Sequence, residues 1–234
     1  MGQLLEDNST APSPALEPLG QWGWLTRWPD ETAAAAWADI ARNERWPCSL
    51  EIVAAYRSVA AIPTGETTHG QWSELHAALK VSIDRFADFG AGREKHDHER
   101  QVIEVPVVYD GPDLLYVADA LGLEPRQVVA LHSSAVYQVF AVGFLPGFPY
   151  AGYLPEALAG LPRRASPRAR VPAGSVAIAG RQTGIYPCES PGGWHILGHT
   201  PLTICDLERG FFRFRPTDRI RFVPIFEGTS SPVE

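Results

Sequence analysis

Cysteine is scarce. Cys48, Cys188 and Cys205 are the only three in 234 residues, scattered and without a C-x-x-C spacing. An odd, dispersed set excludes a disulfide framework and points to a reducing, cytoplasmic home. It also leaves metal chemistry poorly supplied. His195-x-x-x-His199 has Cys188 and Cys205 nearby, but no close cysteine pair and no helix aligns them, so no resident metal is expected. His96-x-His98 lies in a charged run and is expected to be solvated. Positive charge is in deficit as well. Lys and Arg total 20 against 27 Asp and Glu, a net charge of −7, which argues against a general nucleic-acid binder. There is no G-x-x-x-x-G-K-[ST] run, hence no P-loop. No G-x-S-x-G elbow surrounds Ser133-Ser134, so the serine-hydrolase signature is missing. No apolar window of about eighteen residues occurs, so no membrane-spanning helix is expected. The N-terminus lacks the basic and apolar segments of a signal peptide.

Glycine and proline, by contrast, are abundant at 21 each. They punctuate the stretch from Val139 to Leu202, where short apolar pieces alternate with turns. Glycine reaches backbone angles that other residues resist, and proline fixes φ while removing a donor. Between them stand Phe140, Phe144, Phe148, Tyr150, Tyr153, Tyr186 and Trp194. Flexible linkers lack such aromatics, so the pattern reads as short strands joined by rigid turns. One local basic patch, Arg163, Arg164, Arg168 and Arg170, falls inside this stretch of an acidic protein.

The rest of the chain frames it. Residues 1–18 are polar and carry Pro12, Pro14 and Pro18, a composition that predicts a disordered tail. Trp22, Trp24 and Trp28 share parity with Thr26, predicting a strand over 21–28 with one aromatic face. Pro29-Asp30-Glu31 offers a helix start, and Ala33, Ala36, Trp37, Ile40 and Ala41 form the following stripe. Residues 50–62 are β-prone but broken near Tyr56-Arg57, as two strands or one long bent one. Trp72, Leu75, Leu79, Ile83 and Phe86 mark an amphipathic helix. The order β-α-β-β-α predicts a small ferredoxin-like α+β domain over 19–90. Residues 91–100, glycine followed by dense charge, read as a linker.

From 101 to 228 strands dominate. Ile103, Val105 and Val107 share one face. Asp113–Leu121 reads as a short helix stopped by Gly122, and Pro125 can open another, to Leu131. Short strands are predicted over 136–144, 175–179, 195–197, 202–205, 211–214 and 219–223. That pattern suggests an antiparallel barrel or sandwich.

Three runs carry a resemblance. His132–Tyr150 reads H-S-S-A-V-Y-Q-V-F-A-V-G-F-L-P-G-F-P-Y. Arg168–Pro187 reads R-A-R-V-P-A-G-S-V-A-I-A-G-R-Q-T-G-I-Y-P, and Glu189–Trp194 reads E-S-P-G-G-W. They resemble the B-subunit family of bacterial 5-oxoprolinase. That family also includes the KipI inhibitor of a sporulation histidine kinase and the subunit 1 region of allophanate hydrolase, a carboxyltransferase-type module. The resemblance implies an α+β chain, the second domain being a cyclophilin-like β-barrel. It implies a hetero-oligomer, in which this chain pairs with a homologous, larger C subunit. With an A subunit as third member, the assembly would carry out the ATP-consuming opening of 5-oxoproline to glutamate. ATP would be held by the assembled complex rather than by this chain alone. The alternatives it carries are a KipI-like inhibitor of a sensor histidine kinase and an allophanate hydrolase or carboxyltransferase component. His195 and His199 stand where the family commonly has Arg.

A small lactam bearing a carboxylate needs an arginine fork or backbone N–H groups for the acid, and donors for the carbonyl as charge develops on it. His132, Arg170 and Glu189 are the candidate catalytic groups: a proton exchanger, an anion binder, and a base or an orienter of the arginine. The candidate substrate-binding residues are Phe144, Pro146, Gly147, Phe148, Pro172, Gly174, Ser175, Gln182, Thr183, Gly184, Tyr186, Ser190, Gly192, Gly193 and Trp194. Each has a structural reading too: turn geometry for the glycines, core packing for the aromatics, a satisfied buried histidine for His132. Arg163 and Arg164 read as solvated.

Overall fold

The computed structural model describes residues 14–88 and 102–226. The chain divides into two units, Met1–Lys95 and His96–Glu234. The expected linker over 91–100 lies outside the described residues.

In the first unit the order is β1 (Leu16–Leu19), β2 (Gly23–Arg27), α1 (Glu31–Asn43), β3 (Leu50–Ala55), β4 (Ser58–Pro63) and α2 (His69–Asp88). The sheet runs β1-β2-β4-β3, antiparallel throughout. Placing β4 between β2 and β3 makes the split β-α-β of a ferredoxin-like layer. The predicted tail is corrected at its end. Leu16–Leu19 pair with β2 through a turn at Gly20, whose φ of +55° suits glycine. Residues 50–62 form a hairpin, turning at Tyr56 and Arg57. Asp30 caps α1 by accepting from the Ala33 amide at 2.7 Å. The buried face of α1 is Ala33, Ala34, Trp37, Ala38 and Ala41. It is rotated from the predicted stripe, leaving Ile40 exposed; Trp37 packs on Trp28 at 5.3 Å and donates to the Ser82 hydroxyl of α2 at 3.2 Å. Trp28 and Thr26 are buried, but Trp22, predicted on the same strand face, lies in the turn before β2 and is exposed.

The second unit is built on β5 (Val102–Val107), α3 (Leu114–Leu121), α4 (Pro125–Ser134), β6 (Tyr137–Val142), β7 (Pro149–Gly152), β8 (Arg168–Val171) and β9 (Ser175–Ala179). There follow β10 (Gln182–Ile185), β11 (Ser190–Gly192), β12 (His195–His199), β13 (Cys205–Asp206), β14 (Phe211–Phe212) and β15 (Arg219–Pro224). Seven strands form one sheet in the order β12-β9-β10-β7-β6-β15-β5. One pair departs from the antiparallel expectation: β15 and β5 run parallel.

The sheet then curls back on itself. Beyond β5, Val108 exchanges two 2.9 Å backbone hydrogen bonds with His199. Gly111 and Asp113 amides donate to the carbonyls of Leu197 and Ile196 at 3.0 and 3.1 Å. The last strand thus meets the segment leaving the first, which nearly closes a barrel. This seam demands glycine. A Cβ on Gly198 would lie 2.1 Å from the Val108 oxygen, and one on Gly111 would lie 2.3 Å from the Ile196 oxygen. Inside pack Val105, Val107, Tyr137, Val139, Ile178, Ile185 and Phe222, with α3 and α4 contributing Val117 and Val128. Gly122, at φ +66°, closes α3 as expected.

Candidate functional site

Register puts several loops at one end of the barrel. Val142 pairs with Pro149, Val176 with Ile185, and Ser175 with His199. The connections 143–148, 172–174, 186–189 and 200–204 all leave from there. Two of them are tied by the ribbon β8–β11, in which Val171 pairs with Ser190 and Arg168 with Gly192.

An aromatic cluster sits beneath the ribbon. Phe148 meets Tyr186 and Trp194 edge-on at 5.2 and 5.5 Å between ring centres, and Tyr150 meets Trp194 at 5.8 Å. Such edge-to-face contacts favour rigid packing. Gly192 is what admits Tyr186: a Cβ there would fall 2.2 Å from the tyrosine oxygen. Burial raises the Tyr186 pKa, partly offset by a hydrogen bond from the Trp194 amide and by the charges of Arg163 and Arg168.

The structure sorts the predicted substrate-binding residues. Phe144, Pro146 and Pro172 are exposed, while Gln182 and Gly193 are half-buried. Phe148, Tyr186 and Trp194 are core, at no more than 5% exposure, and Gly147, Gly174, Ser175, Gly184, Ser190 and Gly192 are buried beside them. Gln182 and Thr183 do not join this mouth. They open β10 opposite Gly152, Ala151, Ala179 and Ile178, at the far end of the strand. At Pro172, Gly174 and Ser175 the polar groups are paired within the protein. The Gly174 amide donates to the Tyr186 carbonyl at 2.7 Å, and its carbonyl accepts from Thr200 at 2.9 Å. The Ser175 hydroxyl donates to Pro172 at 2.7 Å. These groups hold the loops together instead of facing a ligand.

His132 is corrected as a proton exchanger. It is fully buried in the barrel, stacked on Phe222 at 4.4 Å. Its Nε2 lies 2.8 Å from the Thr183 hydroxyl, and its Nδ1 lies 2.7 Å from the Tyr109 hydroxyl. Thr183 donates onward to the Ala177 carbonyl at 3.2 Å. Its oxygen therefore receives the Nε2 proton, and Tyr109 donates to Nδ1. Burial drives the His132 pKa down to about 3. Its ring should not titrate between about pH 5 and pH 8, as followed by its ring resonances in NMR; a midpoint near the ordinary value of about 6.5 would contradict this. Because the unfolded chain binds this proton more readily, stability is full above about pH 6.5 and falls as pH drops toward about 3.

Arg170 and Glu189 form one pair across the ribbon. Arg170 Nε and Nη2 donate to Glu189 at 3.0, 2.7 and 2.9 Å. Glu189 is thus the ion-pair partner of Arg170. Both are solvent-exposed, at 77% and 52% of their side chains.

One organising residue was not singled out from sequence. Asp113, only 2% exposed, accepts from Arg164 at 2.7 Å and from Arg168 at 2.8 and 2.9 Å. It also accepts from the Ile196 amide at 2.8 Å. Burial alone would raise its pKa, but the Arg168 and Ile196 hydrogen bonds and both guanidinium charges outweigh it and hold the carboxyl below its usual range. Arg164 is thus paired, not solvated. The missed signal was an acid at a helix start with arginines fifty-one and fifty-five residues away, a separation no local spacing rule covers.

Among the described residues no group of three or more His, Cys, Asp or Glu is placed to hold a metal ion. The three cysteines are free thiols. Among the described residues no helix is long and apolar enough to cross a membrane.

Comparison with known proteins gives a consistent picture. Residues 14–211 match the family model of the carboxyltransferase domain, subdomain C and D. The chain is 51% identical over 151 residues to the 5-oxoprolinase B subunit of Escherichia coli O157:H7, covering 63% of this chain and 69% of that one. It is 33% identical over 227 residues to the 5-oxoprolinase B subunit of Bacillus subtilis strain 168, covering 91% and 93%. Among solved structures, TTHA0988 superposes with a TM-score of 0.71 at 36% identity over 90% of this chain, which spans only 41% of that longer chain. The Kluyveromyces lactis urea carboxylase, at 15% identity, TM-score 0.60, and coverage of 94% and 22%, shares the fold.

Proposed function

We propose that this chain, a member of the carboxyltransferase domain, subdomain C and D, family that is similar to 5-oxoprolinase B subunits, is one component of an ATP-dependent 5-oxoprolinase. In the proposed reaction water adds across the lactam C–N bond of 5-oxoproline, giving the open-chain amine and second carboxylate of glutamate. ATP hydrolysis drives the step. The sequence has no P-loop, so ATP is assigned to the assembly with the A and C subunits and not to this chain alone.

The observation that carries this reading is 33% identity along nine-tenths of both chains with a 5-oxoprolinase B subunit. The barrel mouth supplies a place compatible with it. Rigid loops are braced by the aromatic cluster, and Arg170 and Glu189 lie at the surface. This chain's proposed part is to bind and orient the lactam next to groups from its partners.

The test is reconstitution. The chain mixed with its A and C subunits should form glutamate from 5-oxoproline with matching ATP hydrolysis, and omitting this chain should abolish ring opening. Inhibition of a sensor histidine kinase by the isolated chain, with no ring opening by the trio, would replace this reading with a regulatory one.

A further inference from the structure

The hairpin of β13 and β14 pairs with no other strand among the described residues. A two-stranded ribbon this short does not hold by itself, so its anchorage comes from its feet. Ile204 and Phe214, just outside it, are buried in the barrel core. The Arg213 amide donates to the Ile204 carbonyl at 2.9 Å, and Arg213 Nε donates to the Thr203 carbonyl at 2.7 Å. At the tip the Gly210 amide donates to the Leu207 carbonyl at 3.3 Å. The 143–148 turn lies against the hairpin: a Cβ on Gly147 would stand 2.8 Å from Cys205 Cβ and 3.6 Å from Phe212 Cδ1. Hairpin and turn thus make one surface, at the end of the barrel where the loops gather.

That surface is apolar. Phe144 is 64% exposed, Leu207 65%, Phe211 39% and Phe212 44%. Phe144 also sits at φ +70°, a region that bulky side chains avoid. Since an aromatic side chain covers about 150–250 Å² when buried, the four leave on the order of 400 Å² of apolar area open. Patches of about 300–600 Å² are often functional, and this one is about half of the roughly 800 Å² that one side of a stable complex covers. Glu208 and Arg209 are exposed beside it, and the Arg213 guanidinium lies 5.3 Å over the Phe211 ring. An apolar centre with a charged rim is the anatomy of a protein interface.

The relatives indicate what covers it. TTHA0988 holds this fold within a chain of which the present one spans only 41%. The Bacillus subtilis relative is matched along 93% of its length and is named a B subunit, so there the same unit is a separate polypeptide. What the long chain keeps by covalent linkage, a separate subunit keeps by contact.

We infer that Phe144, Leu207, Phe211 and Phe212 form the surface on which the larger C subunit docks, that subunit being the counterpart of the additional length in the TTHA0988 chain. Docking there sets the partner's groups beside the gathered loops, and the pinned hairpin lowers the ordering cost of association. This assignment rests on the proposed reading of the chain as one subunit of a 5-oxoprolinase.

The experiment titrates the full chain with the C subunit by calorimetry, as wild type, Phe144→Ser, Leu207→Asp and Leu115→Asp. Leu115, 72% exposed on α3, is the control. Phe144→Ser and Leu207→Asp should each raise Kd about tenfold or more. Their side chains are exposed, so the thermal midpoint should stay within about 2 °C of wild type. Leu115→Asp should bind within about twofold of wild type. Surface variants that bind like wild type overturn the inference, and so does an equal loss in Leu115→Asp. Self-association of the wild-type chain that Phe144→Ser and Leu207→Asp abolish, with C-subunit binding unchanged, would give the surface to a second copy and also overturn it. In any of these cases, lactam opening by the wild-type trio leaves the enzyme reading standing. A trio that opens no lactam, with C-subunit binding lost in the surface variants, overturns the enzyme reading and keeps the docking surface.

Discussion

Gly198→Ala should prevent the barrel from closing. The added methyl would lie 2.1 Å from the Val108 oxygen and 2.9 Å from the Tyr109 Cα, both backbone atoms that no side-chain rotation can clear. Relief requires parting β12 from the 108–113 segment and losing the paired bonds between Val108 and His199. Overpacking against a rigid neighbour costs about 1–3 kcal/mol, and broken ladder bonds add to it, so a loss of about 3 kcal/mol or more is expected. Denaturant unfolding followed by the near-ultraviolet signal of the second unit measures it. Gly143→Ala is the control. A Cβ there meets nothing within 4 Å, and the change should stay within about 0.5 kcal/mol. Equal stability for the two variants would mean that the seam does not close as described.

Asp113→Ala should be nearly as severe, for an electrostatic reason. Its carboxylate holds two arginines and the Ile196 amide at once. Removing one partner of a buried ion pair costs about 3–5 kcal/mol. Arg164 and Arg168 keep 31% and 24% side-chain exposure, so water compensates in part, and about 2–3 kcal/mol is expected. Asp113→Asn keeps an acceptor for Ile196 without the charge and should fall between. The sign with pH follows from the lowered carboxyl. A depressed folded pKa gives stability that is fully present above the unfolded value of about 3.9 and is lost as pH falls below it. The wild type should therefore lose this contribution in acid, and the alanine variant should have none to lose. A variant as stable as wild type at neutral pH would show that Asp113 does not brace this end of the barrel.

These two residues mark where sequence reasoning stops. Alternation and turn chemistry exposed much of the frame. β9 is the predicted 175–179 strand, β5 carries Val105 and Val107 inward, and Gly122 stops α3. The long motifs identified the family. Closure of the sheet was not legible, because it depends on Gly111 and Gly198 meeting partners about ninety residues away in the chain. Asp113 read as a helix start. Its side chain makes no cap bond, because its oxygens are taken by distant arginines. His132 illustrates the converse. A histidine near serines suggests proton transfer, yet Tyr109, Thr183 and Phe222, contributed by three separate segments, enclose it as a neutral core group. Of the predicted binding residues, Phe148, Tyr186, Gly192 and Trp194 cluster as buried packing, whereas Gln182 and Thr183 lie at the start of β10, paired with β7 and β9.

The most direct measurement is ring opening of labelled 5-oxoproline by the A and C subunits with and without this chain, at saturating ATP. Glutamate formation that depends on the chain and keeps step with ATP consumption is the predicted result. The same turnover in its absence, or none with authentic partners present, would contradict the account.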